Sequence, residues 1–253
     1  MIRSLWCLWL ASVVAPGVQA ASPPKNAQPS SFLKIGSLSV TAGQPFNVEL
    51  NLPTGETWQQ ANIGQFILRS VTIQESIAAQ PIAGGGAISI TPPDPGYALL
   101  VLGAGPAAEK GKPDSWQRTP YCVKYFLRVA PDPNNPQQVG SQGGDPGLTG
   151  KVGQKIELRP YISPVTLRVG SDLPVRAYYE SGSQKNAKVV AFAPDGSRTE
   201  RTTGPNGYAV FPITQHGRWL VRFEKTVDGM KYTGDLVFEV PNDKPADRGG
   251  QGK

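Results

Sequence analysis

The stretch Arg218-Trp219-Leu220-Val221-Arg222-Phe223-Glu224 decides the fold class of this chain. Its large apolar residues Trp219, Val221 and Phe223 occupy every second position, and most of their neighbours are charged. Side chains of a β-strand alternate between two faces, so this pattern predicts a strand with one face in a core. Residues 235–240 repeat the alternation and predict a second strand of the same kind.

Strand-like segments fill residues 154–241. Turn sequences such as Pro194-Asp195-Gly196 and Gly204-Pro205-Asn206-Gly207 separate them. Short strands with turns at this spacing predict a sandwich of about seven or eight strands, of the immunoglobulin-like kind. The predicted strands cover residues 156–161, 165–169, 173–179, 187–192, 198–202, 208–213, 219–225 and 232–240.

The first half of the chain predicts another antiparallel β domain, over residues 32–129, because apolar and polar residues alternate there too, most strictly in residues 46–52. Residues 130–153 are almost wholly Pro, Gly, Asn, Gln, Asp and small residues, and predict a linker. The chain contains 29 glycines and 25 prolines, a density that disfavours long helices. The sequence therefore predicts an all-β protein of two antiparallel domains.

Both ends of the chain lack the pattern of a folded domain. Arg3 precedes an apolar run over residues 5–14, and small residues follow up to Ala20, which predicts a signal peptide over residues 1–20 with cleavage near Ala20. Residues 21–31 predict a flexible lead-in. The polar, Gly-rich residues 242–253 predict a disordered tail.

Cysteine usage and hydropathy extend this prediction to the mature chain. Cys7 leaves with the signal peptide, so Cys122 is the only mature cysteine and an intramolecular disulfide is excluded. No later apolar run approaches the roughly 20 residues that a helical membrane crossing needs. We expect an extracytoplasmic protein, periplasmic or secreted, without a transmembrane segment.

Residues for catalysis or metal binding are sparse. His216 is the only histidine and lies in a turn sequence, and no Gly-x-Ser-x-Gly motif accompanies it. One histidine and one cysteine fall short of a zinc site, and the acidic residues lack the close Asp spacing of a calcium loop. Gly103-Ala104-Gly105 resembles a dinucleotide-binding turn, but Pro113 ends any helix that could follow it. We therefore predict no catalytic residue, no cofactor, no metal ligand and no enzymatic activity.

The charge distribution leaves one candidate binding surface. The formal net charge is +6, but the lysines and arginines are spread along the strands, which argues against nucleic acid as a partner. Arg218, Arg222, Lys231 and Tyr232 form a candidate strip on one sheet of the second domain. This strip is either a solvated sheet face or a site for an anionic or sugar-like ligand or an envelope protein.

Part of the second half resembles a known family. The stretches that carry the resemblance are 156–160, 173–176, 187–189, 204–208 and 217–222. They are similar to a family of secreted bacterial proteins of unknown function, some of whose members are periplasmic components associated with nickel or cobalt uptake. The second half also resembles the transthyretin-like sandwich of carboxypeptidase regulatory-like domains.

The resemblance implies a β-sandwich in an extracytoplasmic compartment. Where that family carries histidines, this chain reads Ala21-Ser22 and Phe223-Glu224, so the family's presumed metal-binding groups are absent. We therefore predict a non-catalytic binding or structural protein. The alternative that the resemblance implies is an accessory protein of nickel or cobalt uptake.

Overall fold

The structure, a computed structural model, describes residues 33–50, 62–69, 80–81, 87–105, 120–135 and 146–242. The predicted signal peptide, the predicted lead-in and the predicted tail beyond Asn242 lie outside these residues. Within the described ranges, no helix is long and apolar enough to cross a bilayer.

Eight strands, β1 to β8, precede residue 131. They are short at first and reach ten residues in β7 and β8, which are rich in apolar residues. In order they are Leu33–Ile35, Ser39–Thr41, Phe46–Leu50, Asn62–Arg69, Gln80–Pro81, Ala87–Ile90, Gly96–Gly105 and Tyr121–Ala130.

A one-turn helix α1, Pro146–Thr149, precedes the eight strands β9 to β16 of the second half. The strands are Ile156–Pro160, Asp172–Tyr179, Gly182–Ser183, Lys188–Phe192, Arg198–Thr202, Tyr208–Pro212, Gly217–Val227 and Met230–Val240. The described strands and their mainly antiparallel pairing confirm the predicted all-β fold class.

Three sheets form three layers. The central sheet has eight strands in the order β13-β12-β15-β16-β8-β7-β4, with β2 added to β8. The sheet of β9, β10, β11 and β14 lies against one face of it, and the sheet of β1, β3, β5 and β6 lies against the other, as the two hydrophobic cores show. The first of these pairs is a β-sandwich.

The central sheet contains strands from both halves of the chain. β16 pairs in parallel with β8, from Thr233 opposite Tyr121 to Val237 opposite Tyr125. The division into domains at residues 130–153 stays a prediction, but strands from either side of it are hydrogen-bonded neighbours.

The first core confirms the alternation in β15. Trp219, Val221 and Phe223 are each at most 3% exposed and pack in the core between the central sheet and the sheet of β9, β10 and β14. Leu220, which points the other way, is buried in the second core, against the sheet of β1, β3 and β6. β15 thus has buried residues on both faces, because the central sheet is covered on both sides.

One local prediction differs from the structure. Residues 165–169 were expected as a strand, but a 3₁₀ turn covers Pro164–Thr166, since both the amide and the Oγ1 of Thr166 donate to the Ser163 carbonyl. Within the segment predicted as a linker, Leu148 and Val152 are buried in the first core.

Candidate functional site

The predicted strip Arg218, Arg222, Lys231 and Tyr232 divides between two faces of the central sheet. Arg222 and Asp235 face each other across β15 and β16 and form two parallel hydrogen bonds, Nε to Oδ1 at 2.8 Å and Nη2 to Oδ2 at 2.7 Å. Their side chains are only 13% and 3% exposed. This guanidinium is thereby committed to an internal carboxylate.

The other members of the strip also have contacts within the chain. Arg218 donates to the carbonyls of Ile35 and Gly36, and Lys231 forms an exposed ion pair with Glu224 at 2.8 Å. Tyr232 is buried in the first core. It follows Lys231 directly on β16, and neighbouring residues of a strand point to opposite faces. The structure thus brings three of the four residues, Arg218, Arg222 and Lys231, to one face.

The two residues weighed for chemistry lie apart from one another. His216 is exposed in the turn before β15, with its Nδ1 2.6 Å from the Pro241 carbonyl oxygen. Cys122 is buried in β8. In the part of the chain that the structure describes, no group of three or more His, Cys, Asp or Glu residues is placed to hold a metal ion.

A different set of side chains converges on the outer face of the sheet formed by β9, β10 and β14. Strand alternation explains it: Leu173, Val175 and Ala177 of β10 are buried in the core, so Arg176 and Tyr178 point outward. Arg159 of β9 lies directly opposite Arg176.

These residues form a continuous series of cations and rings, which we call the tyrosine–cation ladder. The Arg159 guanidinium lies 4.8 Å from the ring centroid of Tyr161, and that of Arg176 lies 5.2 and 5.4 Å from two further rings. The ladder consists of Arg159, Tyr161, Tyr208, Arg176, Tyr178 and Lys151.

Two contacts complete the ladder. The rings of Tyr161 and Tyr208 are 4.6 Å apart at an angle of 48°. The Lys151 ammonium lies 4.4 Å from the ring of Tyr178, which is only 6% exposed. The other members are half-buried, so their outer edges reach solvent.

Strand register makes the ladder possible. Arg159, Arg176 and Tyr208 occupy one row across three neighbouring strands. Like charges directly opposite each other in a sheet are destabilising, so the two arginines add an unfavourable interaction to the fold. The tyrosine rings lessen it, because each guanidinium lies against the negative face of a ring.

The cations of the ladder keep donors available. A guanidinium has five N–H donors. Among the described residues, the Arg176 guanidinium donates through Nη1 to the Tyr161 hydroxyl, at 3.5 Å, while its buried Nε has no partner there. Arg159 donates its Nε to the Thr149 carbonyl. Among the described residues, no carboxylate lies within ion-pair distance of Arg159, Arg176 or Lys151. The row is thus a concentration of positive charge without an internal acid.

The ladder perturbs the acidity of one tyrosine. Burial acts to raise the pKa of Tyr161, but hydrogen bonds to its oxygen from Tyr208, Arg176 and Tyr178 outweigh burial. The positive charge of Arg159 acts in the same direction, and the pKa falls from its ordinary value of 10.0 to about 8. A phenol with this pKa is a sensitive reporter of the positive field at the ladder.

The turn before β14 places Tyr208. Gly207 has φ +77°, and a Cβ there would lie 3.1 Å from the Ser183 Cβ and 3.2 Å from the Gln184 carbonyl oxygen. Its carbonyl accepts the amide of Ala177, which fixes the turn to β10. Only glycine combines this backbone conformation with so close an approach.

Sequence reasoning missed the ladder. The outward positions of β9 and β10 carry Arg and Tyr between buried apolar residues, which was a readable signal. The register that sets Arg159, Arg176 and Tyr208 side by side comes from pairing between distant segments and was not readable.

Comparison with known protein families gave no match, and comparison with curated proteins gave none. Solved structures gave weak similarities. One is the ectodomain of mouse nectin-like molecule 4, with 10% identity over 83% of this chain and 64% of that one at a TM-score of 0.22. At this TM-score the similarity supports no functional argument.

Two bacterial proteins are similar to the same degree. One is SGBP-B of the Bacteroides ovatus mixed-linkage glucan utilization locus, with 11% identity over 89% of this chain and 51% of that one at a TM-score of 0.20. The other is the Ca²⁺-stabilized, ice-binding adhesin of an Antarctic bacterium, with 9% identity over 81% and 48% and a TM-score of 0.22. The chain spans less than two thirds of each of these three proteins.

Proposed function

We propose that this chain is a non-catalytic, extracytoplasmic binding protein whose tyrosine–cation ladder binds an anionic ligand. The observation that carries the proposal is the register-opposed pair Arg159 and Arg176, which has no internal carboxylate among the described residues. A planar guanidinium with open N–H donors is suited to bind carboxylate or phosphate through paired hydrogen bonds.

The energetics of the sheet support this role. Two opposed arginines weaken the unliganded sheet, and an anion bound between them would replace repulsion by attraction. The strip around Arg222 offers less, because Asp235 already neutralises that guanidinium. The ladder is therefore the better candidate for the anionic or sugar-like ligand expected from the sequence.

The proposed compartment rests on the amino-terminal sequence, where Arg3 precedes an apolar run of signal-peptide length. We do not propose that this chain is an accessory protein of nickel or cobalt uptake. No observation on the described residues favours it, since no suitable group of ligands converges there.

Calorimetric titration of the full chain with citrate, at low ionic strength and neutral pH, tests the proposal. We expect citrate to bind the wild-type protein, and binding to weaken at least about tenfold in Arg159→Gln/Arg176→Gln, because charged hydrogen bonds are lost. Arg201→Gln is the matched control, since Arg201 is exposed on β13 of the central sheet.

The double variant must first be shown to keep the wild-type circular dichroism spectrum. Both arginines are only half-buried and the substitutions remove a repulsive pair, so we expect the double variant to fold. Equal citrate affinity in the wild type and the double variant, or no binding by either, would contradict an anion site at the ladder.

A further inference from the structure

We infer that the ligand of the ladder is an acidic polysaccharide whose successive sugars each carry a carboxylate. This inference rests on the proposed function and specifies the chemical class of ligand. It is drawn from the spacing of the arginines and from the groups that surround them.

The spacing suits one charge per sugar. Arg159 and Arg176 lie opposite each other on neighbouring strands, which are separated by about 4.8 Å. This separation is comparable with the advance of a polysaccharide chain by one pyranose ring. A polyuronate that crosses the strands therefore carries its carboxylates at a repeat comparable with the spacing of the two arginines along the row.

The groups between the cations suit the remainder of a sugar. Tyr161 and Tyr208 place two phenolic hydroxyls beside the Arg176 guanidinium, and such hydroxyls both donate to and accept from sugar hydroxyls. Val210 lies two residues beyond Tyr208 on the same face of β14 and is 45% exposed. This combination of cations, hydroxyls and an exposed apolar side chain matches the carboxylate, hydroxyls and C–H faces of a uronic acid.

A nucleic-acid strand fits this surface less well. Its bases bind single-strand sites by stacking on open aromatic faces. Here a guanidinium or ammonium already lies over each tyrosine ring of the ladder, at 4.4 to 5.4 Å from the ring centroid. The rings offer edges and hydroxyls, which favours hydrogen bonding to sugars over stacking with bases.

The test compares three ligands, of which the first two share a backbone. The full chain is titrated calorimetrically with an oligogalacturonate of about eight sugars, with its methyl ester, and with single-stranded DNA of equal charge. We expect the free acid to bind at least about tenfold more tightly than the ester or the DNA, because only the acid supplies carboxylates at sugar spacing.

Variants assign the site. Arg159→Gln/Arg176→Gln should lose at least about tenfold in affinity for the oligogalacturonate, and Tyr208→Phe should lose a few-fold through its hydroxyl. Arg201→Gln should bind as the wild type does.

Each contrary outcome has a distinct meaning. Equal affinity for acid and ester, or tighter binding of DNA than of the oligogalacturonate, would contradict an acidic polysaccharide as the ligand. The ladder would remain a binding site. Binding of citrate without binding of the oligogalacturonate would also contradict an acidic polysaccharide as the ligand. Failure of all these anions would overturn the proposed function as well.

Discussion

The Nζ of Lys124 lies 2.6 Å from a carboxylate oxygen of Glu157, and neither side chain is more than 1% exposed. Lys124 belongs to β8 and Glu157 to β9, on opposite sides of the predicted linker. The carboxylate also accepts the amides of Val152 and Gly153, at 2.8 and 3.2 Å. This ion pair therefore fixes the end of the linker segment and joins the central sheet to the sheet that carries the ladder.

We expect Glu157→Gln to lower the free energy of unfolding by about 3 to 5 kcal/mol, because it removes the carboxylate that lies 2.6 Å from the buried ammonium of Lys124. Denaturant titration measures this change. Glu200→Gln is the matched control: Glu200 pairs with Lys188 at the surface, where solvent screening leaves such a pair little effect on stability.

A double variant separates the effect of the buried charge on stability from the effect of the changed side-chain packing. Lys124→Met combined with Glu157→Gln removes the buried ammonium together with its carboxylate partner and should recover most of the loss. If Glu157→Gln is no more destabilising than Glu200→Gln, the buried pair does not stabilise the junction.

Arg222→Lys should destabilise the fold by about 1 to 2 kcal/mol, although it conserves the charge. A lysine cannot make the two parallel hydrogen bonds that Arg222 makes with Asp235. The exposed Arg198→Lys, beside Glu200, should change stability by less than about 0.5 kcal/mol. Thermal denaturation compares the two, and equal effects would show that the bidentate geometry contributes nothing.

Near-ultraviolet titration should show one phenolate with a midpoint near pH 8, which is absent in Tyr161→Phe. Its midpoint should rise in Tyr208→Phe, because the largest of the hydrogen bonds that favour the phenolate is lost. A titration curve without a transition near pH 8 would contradict the hydrogen bonds and positive charge described around Tyr161.

This titration has consequences for stability and binding. The folded-state pKa lies below the unfolded value, so the contribution of Tyr161 to stability grows as the pH rises through about 8 and is complete above about 10. The added negative charge should also weaken citrate binding above pH 8 in the wild type. Tyr161→Phe should lack both effects, and an unchanged pH dependence in this variant would assign them elsewhere.

Gly207→Ala should cost at least about 2 kcal/mol, since the new Cβ meets backbone and side chain at 3.1 to 3.2 Å in a left-handed conformation. Gly229→Ala has the same φ, +77°, but nothing lies within 4 Å, so only about 1 kcal/mol of backbone strain is expected. Chemical denaturation compares them. Equal losses would show that close packing at Gly207 is unimportant.

The sequence predicted best where a strand buries one face in a core. The alternation of Trp219, Val221 and Phe223 is a local pattern, and the structure buries all three. The predicted strand over residues 165–169 is wrong. Its apolar residues indicate that the segment is buried but not that it is extended, and Leu167 is buried at the end of a 3₁₀ turn.

The contacts of the candidate strip could not be read from the sequence, for a related reason. Arg218, Arg222 and Lys231 do share a face, as the two-residue period requires, but the partner of Arg222 is Asp235, thirteen residues away on the next strand. Whether a cation is available to a ligand depends on what lies opposite it, and that is a property of register.

By itself the sequence determined the all-β fold class and which side chains of a strand share a face, because both follow from the backbone geometry of neighbouring residues. Only the tertiary structure decided that β8 and β16 are neighbours, that Lys124 meets Glu157, and that Arg159, Arg176 and Tyr208 form one row. These contacts depend on which distant strands bury their apolar faces together, and that choice is made by the chain as a whole.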